Sequence, residues 1–190
     1  MVLLALSIGI CEGVYFTYED ALRLYQQGAH ADAEEIFRQL AQKGDARAQY
    51  HLGEMRLHGQ AVEPDPAAAC DWFETAADNG HVTALYELGN CYFGGRGRDQ
   101  DIDQAIYLYG LAAESGLPQA QYRLAKLYAG GGPVPKNPER AYIYLLLALR
   151  GDLAQEPALR DSLEAKLSEE QLQRAQRFAL KLLDRQAGKK

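Results

Sequence analysis

His51, Glu54 and His58 are the residues of this 190-residue chain whose types and spacing come nearest to metal chemistry. In His51-Leu-Gly-Glu54-Met-Arg-Leu-His58 they stand at i, i+3 and i+7, so a helix would put two imidazoles and a carboxylate on one face. No fourth ligand closes the set, and a lone trio falls short of a structural metal site. The glycine runs Gly94-Gly-Arg-Gly97 and Gly130-Gly-Gly132 resemble phosphate loops only in composition. They follow helical rather than strand patterns, and they lack both the P-loop lysine and the G-x-G-x-x-G spacing. Asp99-Gln-Asp101-Ile-Asp103 has neither the sixth-position glycine nor the closing glutamate of a calcium loop. Ser7, Ser115, Ser162 and Ser168 stand in no nucleophile motif, and neither do the cysteines. On these residues no catalytic group, metal or cofactor is assigned.

The elements that would position such groups follow from a repeat. Gly44-Asp-Ala-Arg-Ala-Gln-Tyr-His-Leu-Gly53, Gly80-His-Val-Thr-Ala-Leu-Tyr-Glu-Leu-Gly89 and Gly116-Leu-Pro-Gln-Ala-Gln-Tyr-Arg-Leu-Ala125 superimpose at a spacing of 36 residues without gaps. A second segment keeps the register, with Ala69, Ala105 and Ala141 in one column and Ala76, Ala112 and Ala148 in another. A fixed period of this size signals a stack of two-element units, an architecture that presents extended surface to a partner. The same register puts His51 with Glu87 and Arg123, and His58 with Gly94 and Gly130, so the metal-like trio is not shared between copies.

Each copy is expected to be two short helices. Ala48, Leu52 and Met55 follow i, i+4, i+7 spacing, as do Ala84, Leu88 and Cys91, then Ala120, Leu124 and Leu127. Glycine disfavours a helix interior, so its recurrence at Gly53 and Gly89 points to close packing. Asp65, Asp101 and Asn137 occupy one capping column, with Pro66 and Pro138 at the following first helical position. Tyr18 to Gly44 reads as a shorter first pair, and Ser168-Glu-Glu-Gln171 as a capping box opening a last helix. No stretch alternates with period two, so an all-α chain is expected. Tyr50, Tyr86 and Tyr122 share a column and are expected to serve packing first.

Apolar residues at 47% and charged residues at 24% suit a folded soluble chain, and the net charge of −6 tells against a nucleic-acid binder. No apolar run is long enough to span a bilayer. Val2 to Ile10, followed by Cys11-Glu12-Gly13, has the length and order of a signal peptide's apolar region, though nothing basic precedes it. Export to a bacterial periplasm is therefore expected, with a cytoplasmic location as the alternative. Loss of Cys11 would leave Cys70 and Cys91 as an even pair on antiparallel helices. Two readings stay open for them, a disulfide or two buried thiols.

Ala48-Gln-Tyr50-His-Leu52-Gly53, Gly59-Gln-Ala61-Val62-Glu-Pro-Asp65 and Ala69-Cys-Asp-Trp72-Phe73-Glu-Thr-Ala76-Ala77-Asp-Asn-Gly80 together resemble the Sel1-like repeat, a relative of the tetratricopeptide repeat. The departures are Ala61 and Pro133 for a loop glycine, Arg98 for valine and Asn137 for aspartate. The resemblance implies a right-handed superhelical solenoid of antiparallel helix pairs that acts as a protein-binding adaptor. It also admits a periplasmic immunity protein that neutralises a secreted effector such as a lipase. A cell-wall or lactam-acting enzyme is the alternative from another class.

The expected organisation is a signal-like or apolar segment over 1–13, a first helix pair over 14–43 and three repeats over 44–151. Capping helices over 152–187 and a tail over 188–190 complete it. The chain is expected to be a monomer that binds a protein partner in its concave groove, without nucleic acid or a membrane span. First helices line that face in related repeats. Arg47, Glu54, His58, Asn90, Phe93 and Lys126 are the candidate partner-binding residues. Phe93 stands out as an aromatic expected to be exposed among polar neighbours.

Overall fold

A computed structural model describes residues 15–150 and 157–188. The signal-like segment and Cys11 lie outside these residues. The described residues form ten α-helices and no strand. Four antiparallel pairs follow one another: α1 (Tyr18–Gln26) with α2 (His30–Gln42), α3 (Ala46–His58) with α4 (Pro66–Asp78), α5 (Val82–Gly94) with α6 (Ile102–Glu114), and α7 (Pro118–Gly130) with α8 (Pro138–Leu149). Then come α9 (Pro157–Glu164) and the longer α10 (Glu169–Ala187), both packed on α8.

Helix starts obey local chemistry. Asp65, Asp101 and Asn137 accept from the backbone N–H groups of Ala68, Gln104 and Arg140, satisfying donors that the first turn leaves free. Thr17 with Asp20 and Ser168 with Gln171 form reciprocal capping boxes on α1 and α10.

The distance between paired helices is set by one interlock. The Phe73 ring lies against Gly53, where an added Cβ would come within 2.6 Å of it. Tyr109 lies on Gly89 in the same way, at 2.7 Å. Ala125 occupies this column in the third repeat, and there the second helix offers Leu145 instead of a ring. Glycine thus goes with an aromatic and alanine with leucine, a volume match of the kind a close-packed core requires.

Neighbouring pairs are joined by specific ties. Buried Gln49 and Gln121 donate to the carbonyls of Ala41 and Ala113, 3.0 Å each, and so link each first helix to the end of the preceding second helix. Glu34, only 5% exposed, receives Arg38 and Arg56 at 2.7 Å each. Between α4 and α5 the tie is covalent: Cys70 and Cys91 are disulfide-bonded, with Cα atoms 6.2 Å apart.

The loop after α5 leans over the start of α4, and Gly97 makes this approach feasible. It has φ +78° and no room for a Cβ, which would sit 2.2 Å from the Pro66 carbonyl oxygen. Ala61, its counterpart one repeat earlier, carries a side chain at φ +70°. Arg98 fixes the same loop to Asp71 and Glu74. At the C-terminal end, Arg174 grips Glu139 through two hydrogen bonds, and Gln186 donates to the carbonyls of Ala113 and Glu114.

Gly53→Ala should destabilise the fold by about 1–3 kcal/mol, because a buried ring must move. Gly53→Ala with Phe73→Leu recreates the Ala125–Leu145 pairing, so its loss should be smaller than the sum of the two single losses. Denaturant melts of the four proteins measure that coupling. Reducing the Cys70–Cys91 bond, which closes a sequence separation of 21 residues, should cost about 3 kcal/mol by chain entropy. Intact mass after alkylation, with and without reductant, counts the cysteines that are bonded.

Candidate partner-binding face

The first helix of each pair contributes one row of side chains to a common face, and these rows meet across the repeats. The Tyr18 hydroxyl of α1 reaches His51 Nε2 of α3 at 2.8 Å, and the His51 ring stacks on Phe37 with centroids 5.0 Å apart. His51 Nδ1 faces a Glu54 oxygen at 3.1 Å. Both ring nitrogens are therefore turned to protein groups, and His58 is exposed beyond them. Among the described residues no three His, Cys, Asp or Glu side chains gather around a cation position.

Tyr50 is half-buried and both packs and points outward. Its ring stacks on His81 at 4.5 Å and its hydroxyl donates to Glu54 at 2.9 Å. Burial works to raise the Glu54 carboxyl, but the close His51 ring and the Tyr50 hydrogen bond outweigh it and leave the pKa below its ordinary value. Glu87, one repeat on from His51, behaves oppositely. Its burial pushes the carboxyl up, the Asn90 amide at 3.0 Å pulls it partly back, and nearby Glu54 adds to the rise. His81 is held down, first by burial and then by His51.

Asn90 stands between two helices, donating to Glu87 and accepting from the Tyr109 hydroxyl at 2.7 Å. Burial pushes the Tyr109 phenol up to about 12. Its ring is the one that rests on Gly89. A second-helix core residue therefore passes between the helices and ends on the candidate face.

Phe93 departs from the expectation of an exposed aromatic. It is half-buried against Tyr109, and the Arg123 guanidinium lies 4.5 Å above its ring. The cause is tertiary: α7 brings Arg123 onto Phe93, where a cation over the ring face is favourable. Lys126 is exposed and lies 5.3 Å from the Tyr122 ring. Arg47 is exposed, covers Tyr18 at 4.1 Å and pairs with Asp45 and Glu19. The structure thus joins Glu54 to the central network, links Asn90 with Phe93 through Tyr109, and leaves Arg47 at the α1 end. Glu87, Arg123, Tyr109 and His81 are members that sequence reasoning did not single out. Glu87 and Arg123 had one signal, charge at the His51 column.

A family model described as Sel1 repeat matches residues 46–81, 82–117 and 118–153, more than half of the chain. The chain belongs to the Sel1 repeat family. Its described residues form the all-α solenoid of helix pairs that this family shares with solved relatives. A crystal structure of a Sel1 repeat protein from Oxalobacter formigenes is similar with a TM-score of 0.68 and 25% identity, over 86% of this chain and 71% of that one. A protective antigen of uropathogenic Escherichia coli strains, which displays an SLR fold, is similar with a TM-score of 0.53 and 23% identity. That match covers 91% of this chain but 47% of the antigen, so this Sel1 repeat chain spans about half its length. No curated protein matches the chain in sequence.

The raised Glu87 carboxyl has a signed consequence. The folded protein holds this proton more tightly than the unfolded chain, so stability declines as pH rises from the ordinary carboxylate pKa through the raised one. Glu87→Gln should therefore melt higher than the parent at neutral pH. The gain should vanish below about pH 4, where both states carry the proton. Thermal melts of the two proteins across pH test it.

Proposed function

We propose that this Sel1 repeat protein is a non-catalytic scaffold that holds one protein partner on the face built by α3, α5 and α7. Sel1 repeats serve in general as protein-interaction scaffolds, and a stacked-repeat architecture offers extended surface rather than a closed pocket. The observation that carries the assignment to this face is its content. Tyr50, Glu54, Glu87, Asn90, Phe93 and Arg123 set half-buried aromatic, charged and amide groups on the first helices of three repeats. Partner anchors are drawn from such side chains.

The finer reading is an exported binder, and within it an immunity-type inhibitor of one secreted effector. The signal-like order of Val2 to Gly13 supports export. The Cys70–Cys91 bond supports an oxidising compartment.

Affinity capture of the tagged mature protein from its own cell envelope tests both levels, run beside Glu54→Lys and Lys126→Glu. One stoichiometric partner held by the parent and lost at least tenfold by either variant is expected. A lipase or other toxin as that partner would make the protein an immunity factor. A partner retained fully by both variants would put binding on another face.

A further inference from the structure

The face described above carries charge in an uneven way, and the unevenness specifies a partner. Several buried or half-buried charges elsewhere have ion-pair partners: Glu34 has Arg38 and Arg56, Arg98 has Asp71 and Glu74, and Glu139 has Arg174. On the face itself neither Glu54 nor Glu87 meets a lysine or arginine among the described residues. Glu54 has His51 and Tyr50, and Glu87 has the Asn90 amide. Tyr50, the partner of Glu54, stacks at 4.5 Å on His81 at the start of α5, so Glu54 and Glu87 stand on neighbouring first helices, with exposed His58 as the further basic group that acts on both. On α7 the pattern inverts. Arg123 and Lys126 form no ion pair with a described residue, and Arg123 Nε is buried without a hydrogen-bond partner. Glu87 and Arg123 share a repeat column yet do not neutralise one another, because Arg123 is laid back over Phe93.

We propose that this face recognises an oppositely polarised segment of a partner protein. One basic side chain is set between Glu54 and Glu87, and one acidic side chain against Arg123 and Lys126. The inference rests on the reading of this face as the binding surface and adds the chemistry of the occupant. An incompletely paired, half-desolvated charge is unfavourable in the free protein, and a counter-charge from a partner removes that penalty.

The spacing follows from the stack. Adjacent helices lie about 8–10 Å apart, and from midway between α3 and α5 to α7 is about one and a half such spacings, so basic and acidic groups should stand about four residues apart in an extended segment, at about 3.3 Å per residue. On a helical segment they should stand between two and three turns apart, at about 1.5 Å per residue. The polarity also fixes direction, since a segment docked backwards would meet like charge at both ends.

The test uses displayed random peptides of about 12 residues, long enough at about 3.3 Å each to cross the face. They are panned on the full chain and, in parallel, on Glu87→Gln and Arg123→Gln. Peptides enriched on the parent should pair Lys or Arg with Asp or Glu at one of the two spacings. A resynthesised peptide should lose about tenfold or more in affinity on each variant. Glu87→Lys should in turn prefer the peptide whose basic residue is replaced by glutamate, an outcome that an unfolded variant could not give.

An empty pool, a pool without such charge pairs, or equal affinity on parent and both variants would overturn the proposal. The scaffold reading fails separately. A captured partner indifferent to Glu54→Lys and Lys126→Glu overturns both, while one lost by those variants alongside failed panning overturns only the charge pairing.

Discussion

The seating of a second-helix ring on a first-helix glycine governs this structure. Phe73 on Gly53 and Tyr109 on Gly89 leave no space for a Cβ, so they fix how closely α3 lies to α4 and α5 to α6. Close pairs bury small columns such as Ala48, Ala84 and Ala120, all fully buried. The interlock also reaches the candidate face. The Tyr109 ring that packs on Gly89 ends in a hydroxyl bonded to Asn90, so the spacing of the pair and the position of Asn90 depend on the same contact. Core and candidate site are thus two ends of one side chain.

The seams between pairs are less uniform than the pairs, as expected where each repeat touches only its neighbours. Gln49 and Gln121 tie their helices to the preceding carbonyls, but Leu85 stands at that position in the middle repeat and has no such donor. That seam, between α4 and α5, is the one with the disulfide and the Gly97–Arg98 loop folded across it. A covalent and an ionic tie operate where the polar one is missing. At the far end α10 runs along α8 and reaches back to the carbonyls of α6, covering a helix pair with no following repeat.

The face itself divides by charge. Carboxylates and histidines gather on α3 and α5, and cations on α7, with aromatic rings between them. Burial raises Glu87 while hydrogen bonding lowers Glu54, so two like groups on adjacent helices titrate apart. Sel1 repeats are in general interaction scaffolds.

The sequence by itself determined the repeat, the helix class and the caps. These are encoded locally: a 36-residue period, apolar spacing of three and four, and a capping residue one position before each second helix. Its small residues at Gly53 and Gly89 announced close packing, but not the ring that each one receives. Glu54, Asn90 and Lys126 were legible as a column beside the packing positions. Glu87 and Arg123 were not, because a charge on a helix face has no visible counterpart in a single chain. Only the tertiary structure decided that Arg123 covers Phe93, that His51 meets Tyr18, and that Cys70 meets Cys91. Each of these joins different helices. Such contacts depend on how far one helix is rotated and shifted against a helix of the neighbouring pair, and that is set by the packing of the stack rather than by any local pattern.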